Sequence, residues 1–410
     1  MARTGPVAGW ALGGRVFSSS VPAESAKGWV AGWALGGRAF SSSVPAAGAK
    51  GRVAGWALGG RAFSSSAVSA KERVLILGSG WGGFKIARDL DKAKCEVTLV
   101  SPANHFLFTP LLPSTAVGTL EFRCIQEPVR TIPHVRYVQA KARSVDLEHQ
   151  VVTCRDVFGN EREFDVPYDR LVVAVGNKTS TFGIPGVAER EGKQVFFLKH
   201  LFHARQIRNR ILELFELADM PGLSAEQRRR LLSFVVVGGG PTSCEFVSEL
   251  HDFLRSDVAR WYPDMTQDVR VTLVEAGPNL LGPFDRVLQK HARTLFDLRG
   301  IVVRTSVAVE RVVDGATAAG EAELPEAQLS DGSSISFGLM VWSAGLAPVK
   351  FVEELQLPVG RGGRLLVDGC CRVHGHEAAG DLFAIGDCAI NEAAPLAQLA
   401  QVHKYEMHMK

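Results

Sequence analysis

Short apolar runs alternate with glycine turns and helical periodicity from about residue 72 onwards. Residues 73–77 read R-V-L-I-L, and four of the next six residues are glycine. Apolar positions then recur at helical spacing over residues 84–93, and residues 96–100 form a second apolar run. A strand, a glycine turn, a helix and a second strand in this order predict a βαβ unit.

The same order of elements recurs in the middle of the chain. Its strand, glycine turn, helix and second strand are residues 232–237, 238–241, 242–254 and 269–274. Three further apolar runs, each followed by a glycine, are residues 171–175, 339–342 and 382–385. Glycine at such a place lets the backbone approach a ligand closely. Two βαβ units predict an α/β fold with two Rossmann-like dinucleotide-binding domains.

The first 70 residues differ from this pattern because they contain three copies of G-W-A-L-G-G-R-x-F-S-S-S. The copies begin at Gly9, Gly32 and Gly55. They are rich in Arg and Ser and poor in acids, which is typical of an organelle transit peptide, with the mitochondrion ahead of the plastid. A low-complexity leader and a duplicated gene-model artefact are the alternative interpretations.

Charge is distributed unevenly along the chain, which carries a net charge of +3. Residues 1–70 hold seven basic residues against Glu24 alone, so the remainder is slightly acidic. An acidic body has no electrostatic surface for nucleic acid. No apolar window is long enough to predict a membrane-spanning helix, so any membrane attachment is expected to be peripheral.

The seven cysteines show neither a C-x-x-C pair nor a metal-ligand spacing with histidine. Structural thiols and no metal site are therefore expected. A disulfide reductase of this architecture is disfavoured, because such proteins have a C-x4-C pair on the helix after the first glycine turn. Here residues 84–94 contain no cysteine.

The first glycine turn reads G-S-G-W-G-G, with Gly78, Gly80 and Gly83 in the G-x-G-x-x-G positions. The first glycine permits a tight turn, the second brings N–H groups near a pyrophosphate, and the third lets the helix lie close to the strand. The following strand ends at Ser101 instead of an acid, and its hydroxyl is able to bind a ribose. A plain strand-end turn with Pro102 is the alternative.

The second glycine turn reads G-G-G-P-T-S-C-E, with Gly238, Gly240 and Ser243 in the same positions. Serine in place of the third glycine loosens the match. The second strand of this unit ends at Glu275, whose carboxylate would accept hydrogen bonds from a ribose and repel a 2′-phosphate. This favours NADH over NADPH, although an ordinary solvated charge also fits Glu275.

Glu245 has two interpretations. Thr242-x-x-Glu245 has the form of a capping box at the start of a helix, which would account for the carboxylate without catalysis. The same helix start would face a nicotinamide, so Glu245 also fits a positioning role between two cofactors.

Four motifs together resemble the alternative (type II) NADH:ubiquinone oxidoreductases of mitochondria, and the resemblance covers residues 72–403 in the family's order. The motifs are S-P-A-N-H-F-L-F-T-P-L-L-P-S at residues 101–114, T-F-G-I-P-G-V at 181–187, G-G-G-P-T-S-C-E at 238–245 and F-A-I-G-D at 383–387. The proline-rich loop is the most specific of them.

The resemblance implies FAD and NADH as cofactors and ubiquinone as the electron acceptor. The residues expected at the FAD are Gly78, Ser79, Gly80, Gly83, Ser101, Ala174, Gly176 and Asp387. The residues expected at the NADH are Gly238, Gly240, Pro241, Thr242, Glu275 and Gly345. Because the flavin carries the hydride, the protein's task is to orient the nicotinamide against it.

The order of the motifs predicts an NADH domain inserted into an FAD domain, because the G-D motif follows the second glycine turn. The expected segments are a transit peptide at residues 1–70, an FAD domain at 72–190 and 350–410, and an NADH domain at 191–349.

The resemblance also implies a location at the periphery of the mitochondrial inner membrane. Gln398 matches the family's glutamine on the quinone side, where we assign it a catalytic role, whereas Val402 replaces a second glutamine. The family continues beyond the position of Lys410 into amphipathic membrane-binding helices, so we expect weak bilayer binding by this chain. Dimerisation stays open. The alternatives are a redox-responsive structural flavoprotein similar to apoptosis-inducing factors and a truncated, inactive form.

Overall fold

The computed structural model describes residues 71–315 and 324–393. The repeats of residues 1–70, together with Gln398 and Val402, lie outside the described residues. The helices are α1 (Trp81–Asp89), α2 (Leu112–Val117), α3 (Leu201–Ala218), α4 (Ala225–Leu231), α5 (Pro241–Phe253), α6 (Ala259–Trp261), α7 (Arg286–Leu298) and α8 (Lys350–Glu354).

The strands are short and numerous. In chain order they are β1 (Glu72–Leu77), β2 (Cys95–Ser101), β3 (His105–Leu107), β4 (Gln126–Pro128), β5 (Val135–Asp146), β6 (Val151–Asp156), β7 (Glu163–Pro167), β8 (Arg170–Val173), β9 (Asn177–Thr179), β10 (Val195–Phe197), β11 (Ser233–Val237), β12 (Arg270–Glu275), β13 (Val302–Thr305), β14 (Val309–Asp314), β15 (Pro325–Leu329), β16 (Ser334–Ser336), β17 (Leu339–Trp342), β18 (Leu346–Pro348), β19 (Leu365–Leu366), β20 (Leu382–Ala384) and β21 (Ala389–Ile390).

The first predicted βαβ unit lies in a seven-stranded sheet with the order β20-β8-β1-β2-β5-β6-β7. Strands β20 to β5 are parallel, and β6 and β7 extend the sheet as an antiparallel meander. Strand β20 enters this sheet from near the end of the described chain, after the whole second unit.

The second βαβ unit lies in a separate, fully parallel sheet with the order β10-β17-β11-β12-β13. The chain leaves the first sheet through β9 and returns through β18, and these two strands pair antiparallel. Two parallel sheets, each with its own βαβ unit, confirm the predicted fold class. The domain boundaries near residues 190 and 349 stay predictions.

Both faces of strand β1 are covered along its last four residues, which explains why these are all apolar. Val74 and Ile76 contact the core under α1, whereas Leu75 and Leu77 belong to a different core on the opposite face of the sheet. A strand buried on both faces lacks the polar alternation of a half-exposed strand.

Helix α1 begins and ends earlier than the predicted residues 84–93. It starts at Trp81, with Gly80 as its N-cap residue, and stops at Asp89. The carboxylate of Asp91 accepts a hydrogen bond of 2.8 Å from the N–H of Ala93. Such a bond stabilises a turn that competes with the helix, and it explains why the apolar periodicity overstates the helix length.

The proline-rich loop leads into α2, whose six residues are all buried. Leu112 and Ala116 lie in the same apolar cluster as Ile207 of α3 and Leu250 of α5. A helix that lies between β3 and β4 in sequence therefore contributes to the core of the second unit.

Among the residues that the structure describes, none of the helices combines the length and the hydropathy needed to cross a bilayer. The same residues contain no cluster of three or more His, Cys, Asp or Glu side chains suited to a metal ion.

Candidate functional site

The first glycine turn lies where the chain order of the first sheet reverses, between β1 and β8. The N–H of Gly78 donates to Val100 at 2.8 Å, and the N–H of Ala174 donates to Leu77 at 2.9 Å. Gly78 has a φ of +111°, and a Cβ there would collide with the carbonyl of Ala174. In parallel α/β sheets such a reversal point is where ligands bind.

Gly83 has the packing role that the sequence assigns to it, and the role of Gly80 at a pyrophosphate stays a prediction. A Cβ on Gly83 would collide with the carbonyl of Gly78, so helix α1 lies against the turn only with glycine there. Gly80 borders open space, and no side chain caps the helix that follows it. The first N–H groups of α1 are thus left for a ligand, and the positive end of a helix suits an anionic pyrophosphate.

Ser79 and Ser101 are nearly fully buried and contact each other. Their hydroxyl oxygens are 2.9 Å apart, and Ser79 Oγ also lies 3.1 Å from the carbonyls of Ala103 and His105. The two side chains therefore fix the loop after β2 to the glycine turn. This arrangement gives Ser101 a structural role, and its contact with a ribose stays a prediction.

A polar group surrounds the glycines that follow β8 and β20. Gly176 and Gly386 both have positive φ and border open space. Lys199 donates to Asn177 Oδ1, and the Nδ2 atom of Asn177 is buried with no partner within residues 71–315 and 324–393. Burial lowers the pKa of Lys199, and the Asp387 carboxylate opposes this shift.

The buried Nδ2 donor of Asn177 favours a ligand that accepts a hydrogen bond. These residues are therefore suited to contact the polar edge of a ligand's ring. This group brings the predicted Asp387 and Gly176 together with two residues that the sequence reasoning missed, Asn177 and Lys199. The only sequence signal for Asn177 is its position directly after the A-V-G segment.

The second glycine turn repeats the construction of the first, with β17 in the place of β8. The N–H of Gly238 donates to Val274 at 2.8 Å, and that of Ser343 donates to Val237 at 3.0 Å. Gly238 has a φ of +110°, and a Cβ there would lie 3.2 Å from Ala344. Gly240 borders open space and precedes an uncapped helix, as Gly80 does.

The carboxylate of Glu275 lies inside the second turn. It accepts hydrogen bonds from the N–H groups of Gly239 and Gly277, the latter at 2.5 Å. A Cβ on Gly239 would lie 2.8 Å from the Glu275 side chain, so a larger residue there would displace this carboxylate. The sequence reasoning placed Glu275 correctly at the turn but missed Gly239, whose signal is the third glycine in an unbroken G-G-G run.

Ser243 is fully buried, and its hydroxyl oxygen lies 2.6 Å from that of Ser343. The side chain that replaces the family's glycine therefore has a hydrogen-bond partner directly after β17. A paired hydroxyl avoids the cost of burying a polar group, so the second turn accommodates serine without opening the helix–strand contact.

The capping box predicted from Thr242 and Glu245 is wrong. The N-cap residue of α5 is Gly240, two residues before Thr242, Pro241 is the first helical residue, and no side chain caps the helix. Proline is favoured at this position because it has no N–H and its φ already suits a helix. Glu245 is thus the fifth helical residue, beyond the first turn.

The structure therefore leaves the Glu245 carboxylate without a capping role. The Glu245 side chain is exposed on α5. Desolvation by the surrounding protein raises its pKa, and the neighbouring Glu249 carboxylate raises it further. A positioning role for Glu245 between two cofactors stays a prediction.

Gly345 has a structural reason to be glycine. Its φ is +74°, and a Cβ there would collide with the ring of Phe182. Its carbonyl accepts a hydrogen bond of 3.2 Å from Ser180, beside the β9–β18 pair. A contact between Gly345 and a cofactor stays a prediction.

The buried cysteines are poor nucleophiles. Burial raises the pKa of both Cys154 and Cys244 to about 12, so their thiols are protonated at neutral pH. Helix α1 contains no cysteine. Neither observation suits thiol–disulfide chemistry at the first glycine turn.

Comparison with known proteins agrees with this geometry. Residues 72–404 match the family described as pyridine nucleotide-disulphide oxidoreductase. A probable NADH dehydrogenase of Dictyostelium discoideum is 42% identical over 323 residues, which cover 78% of this chain and 68% of that protein. The mitochondrial external alternative NAD(P)H-ubiquinone oxidoreductase B3 of Arabidopsis thaliana is 37% identical over 329 residues, which cover 77% of this chain and 54% of that protein.

A solved structure, that of NDH2 from Plasmodium falciparum in complex with NADH, has a TM-score of 0.71 and 33% sequence identity to this chain. The match covers 78% of this chain and 64% of that one. The chain thus spans between 54% and 68% of the length of these three relatives. It belongs to the pyridine nucleotide-disulphide oxidoreductase family and, within that family, to the alternative (type II) NAD(P)H-ubiquinone oxidoreductases.

Proposed function

We propose that this chain is a non-proton-pumping NADH:quinone oxidoreductase, with FAD at the first glycine turn, NADH at the second and ubiquinone as the acceptor. One observation carries the proposal. Two turns of the same construction end parallel strands in separate sheets, each before an uncapped helix, and only the second contains a carboxylate. When bound, the FAD would accept a hydride from NADH and pass two electrons to the quinone.

The assignment of the nucleotides to the turns follows from Glu275 and its counterpart Ser101. Glu275 holds a half-exposed negative charge at the second turn, where it would accept hydrogen bonds from the two hydroxyls of an NADH ribose. The same charge repels the 2′-phosphate of NADPH. At the first turn the corresponding side chain is the neutral Ser101.

Two sets of side chains would orient the reacting parts. Asn177 and Lys199 offer donors beside Gly176, and the nearby Asp387 offers an acceptor. Glu245 projects from α5 and would position the nicotinamide end of NADH. These residues bind and orient, which is the protein's main contribution when the cofactor supplies the chemistry.

The proposed location is the mitochondrion, at the periphery of the inner membrane. The Arabidopsis relative is a mitochondrial protein by name, and the Arg- and Ser-rich repeats of residues 1–70 have the composition of a targeting segment. The quinone side of the site includes Gln398 in this proposal, and a homodimer is compatible with it.

The test is steady-state oxidation of NADH by the purified full chain with a water-soluble, short-chain quinone. We expect sustained turnover that depends on both substrates, and a preference for NADH over NADPH. A chain that oxidises no more than about one NADH per flavin in the presence of excess quinone would contradict the proposal. It would instead support a redox-responsive flavoprotein that does not turn over.

A further inference from the structure

Glu249 connects the helix of the second glycine turn to the segment around α2, which follows β3 in the first unit. It lies on α5, and each of its carboxylate oxygens accepts one hydrogen bond of 2.9 Å, from Ser114 Oγ and from Thr119 Oγ1. Both donors belong to the segment around α2. The carboxylate thus binds the middle of α2 and the residue two positions after its end through charge-assisted hydrogen bonds, which are stronger than neutral ones.

The loop before α2 is fixed in turn to the first glycine turn. The indole N–H of Trp81, the first residue of α1, donates to Thr109 Oγ1 at 3.1 Å. The ring of Phe106 lies edge-on to Trp81 and stacks on Phe84, with 5.0 Å between ring centroids in both pairs. A continuous series of contacts therefore runs from the start of α1 through α2 to α5.

Helix α2 is also held on its other side. Arg208 of α3 donates to the carbonyl of Val117, the last residue of α2. Gly118 follows with a φ of +83°, and a Cβ there would collide with the Arg208 guanidinium. Because every residue of α2 is buried, a displacement of α2 would be transmitted to α5 and to the loop beside α1.

We propose that Glu249 is a positioning residue that fixes the distance between the two dinucleotide sites by binding the segment around α2. This rests on the proposed function. Hydride transfer requires reacting atoms within about 3 to 3.5 Å, and a displacement of about 1 Å costs on the order of 100-fold in rate. Two bonds to one carboxylate supply a constraint that apolar contacts alone do not, since they set direction as well as separation.

The experiment measures anaerobic flavin reduction by NADH in a stopped-flow instrument, with hydrogen exchange of the α2 peptide as a second readout. The double variant Ser114→Ala/Thr119→Val removes both donors and leaves the negative charge beside Glu245 in place. We expect its limiting rate at saturating NADH to fall about tenfold or more. The Kd for NADH should stay within about threefold, and α2 should exchange faster.

Matched variants distinguish a positioning role of Glu249 from a general loss of stability. Glu249→Ala should reproduce the loss, and Glu249→Gln should restore most of the rate, because a hydroxyl accepts from an amide as well as donating to it. Thr153→Val is the control, since it removes a hydroxyl–carboxylate bond of 2.8 Å to Asp165 in the meander of the first sheet. It should leave both the rate and the α2 exchange unchanged.

A double variant with faster α2 exchange and an unchanged limiting rate would overturn the inference, because Glu249 would then only stabilise the helix. If the double variant does not fold, the exposed Thr119→Val alone should lower the rate about threefold, and an unchanged rate would again count against the inference. Failure of the proposed function is distinguishable, because wild-type flavin would not be reduced by NADH.

Discussion

The turn at residues 78–83 and the turn at residues 238–243 share a backbone arrangement but differ at two equivalent positions. Gly83 in the first turn has no room for a Cβ, whereas Ser243 in the second turn is buried and paired with Ser343. At the end of the second strand, the neutral Ser101 binds Ser79, whereas the charged Glu275 binds two N–H groups.

The difference shows that close helix–strand approach and nucleotide choice are separate properties of these turns. At the helix–strand contact, the first turn depends on the missing Cβ of Gly83, whereas the second turn contains the hydrogen-bonded pair Ser243 and Ser343. The charge at the strand end belongs to the second turn alone, so the selection between phosphorylated and unphosphorylated ribose is expected there. The predictions below test each half of this comparison.

The largest expected effect is at Gly83. Gly83→Ala forces a Cβ onto the backbone carbonyl of Gly78, which cannot move without breaking the turn. We expect a loss of about 3 kcal/mol or more in the free energy of unfolding, or no folded protein. Thermal and chemical unfolding of the purified chain measure it. Gly80→Ala is the control, because its Cβ enters open space and should cost at most about 1 kcal/mol. Equal stability of the two variants would refute the packing argument.

A buried histidine in the second unit should make the stability of the protein depend on pH. His203 at the start of α3 is 5% exposed, and its Nδ1 accepts from the N–H groups of Lys199 and His200. Burial lowers the pKa of His203 to about 4, with the charges of His200 and Lys199 adding to the shift. In the unfolded chain the pKa of this histidine is near 6.5, so the unfolded chain binds the proton at a higher pH than the folded chain does. The free energy of unfolding therefore falls as the pH drops from about 6.5 to about 4.

This histidine should account for up to about 3 kcal/mol of the acid-dependent loss. His203→Gln keeps an acceptor without the titration, so its free energy of unfolding should depend less on pH in this range. Parallel pH profiles for wild type and His203→Gln would show that His203 does not cause the loss.

Ser243→Ala should be costly for a different reason. It leaves the half-buried Ser343 hydroxyl without its partner, which should lower the free energy of unfolding by about 1 to 2 kcal/mol. Replacing both serines by alanine should recover part of this loss, since neither polar group is then left unpaired. A double-mutant cycle from urea unfolding measures the coupling. Strict additivity would mean that the pair does not hold the second turn.

The smallest effect is on specificity. Glu275→Gln removes the negative charge and keeps one oxygen that accepts from one of the two N–H groups of the turn. The ratio of kcat/KM for NADPH to that for NADH should rise about tenfold, which corresponds to about 1.4 kcal/mol. Glu310→Gln, an exposed carboxylate on β14, is the matched control. An unchanged ratio in Glu275→Gln would show that Glu275 only stabilises the turn.

Local sequence patterns predicted the two βαβ units, because a glycine turn and the apolar runs beside it are formed by residues that are close in sequence. Where two local signals compete, the pattern failed. Pro241 and Gly240 move the start of α5 and eliminate the capping box that Thr242 and Glu245 suggest. Asp91 ends α1 before its periodicity does.

The contacts between distant segments could not be predicted from one sequence. Glu249 and Ser114 are 135 positions apart in the sequence. Asn177 follows β8 of the first sheet, whereas its partner Lys199 follows β10 of the second sheet. Nothing in the residues near Glu249 distinguishes it from a solvated helix carboxylate. Only the folded arrangement of α2 against α5 shows what it binds.

The most direct test of the two-site account is an anaerobic absorbance spectrum of three purified proteins, before and after addition of NADH. Wild type should show oxidised flavin bands that bleach with NADH. Gly80→Ala should fold but lack most of the flavin, and Gly240→Ala should retain the flavin but need far more NADH to bleach it, because each added methyl group enters the open space of one turn only. Loss of flavin in Gly240→Ala with full retention in Gly80→Ala would contradict the assignment of FAD to the first turn and NADH to the second.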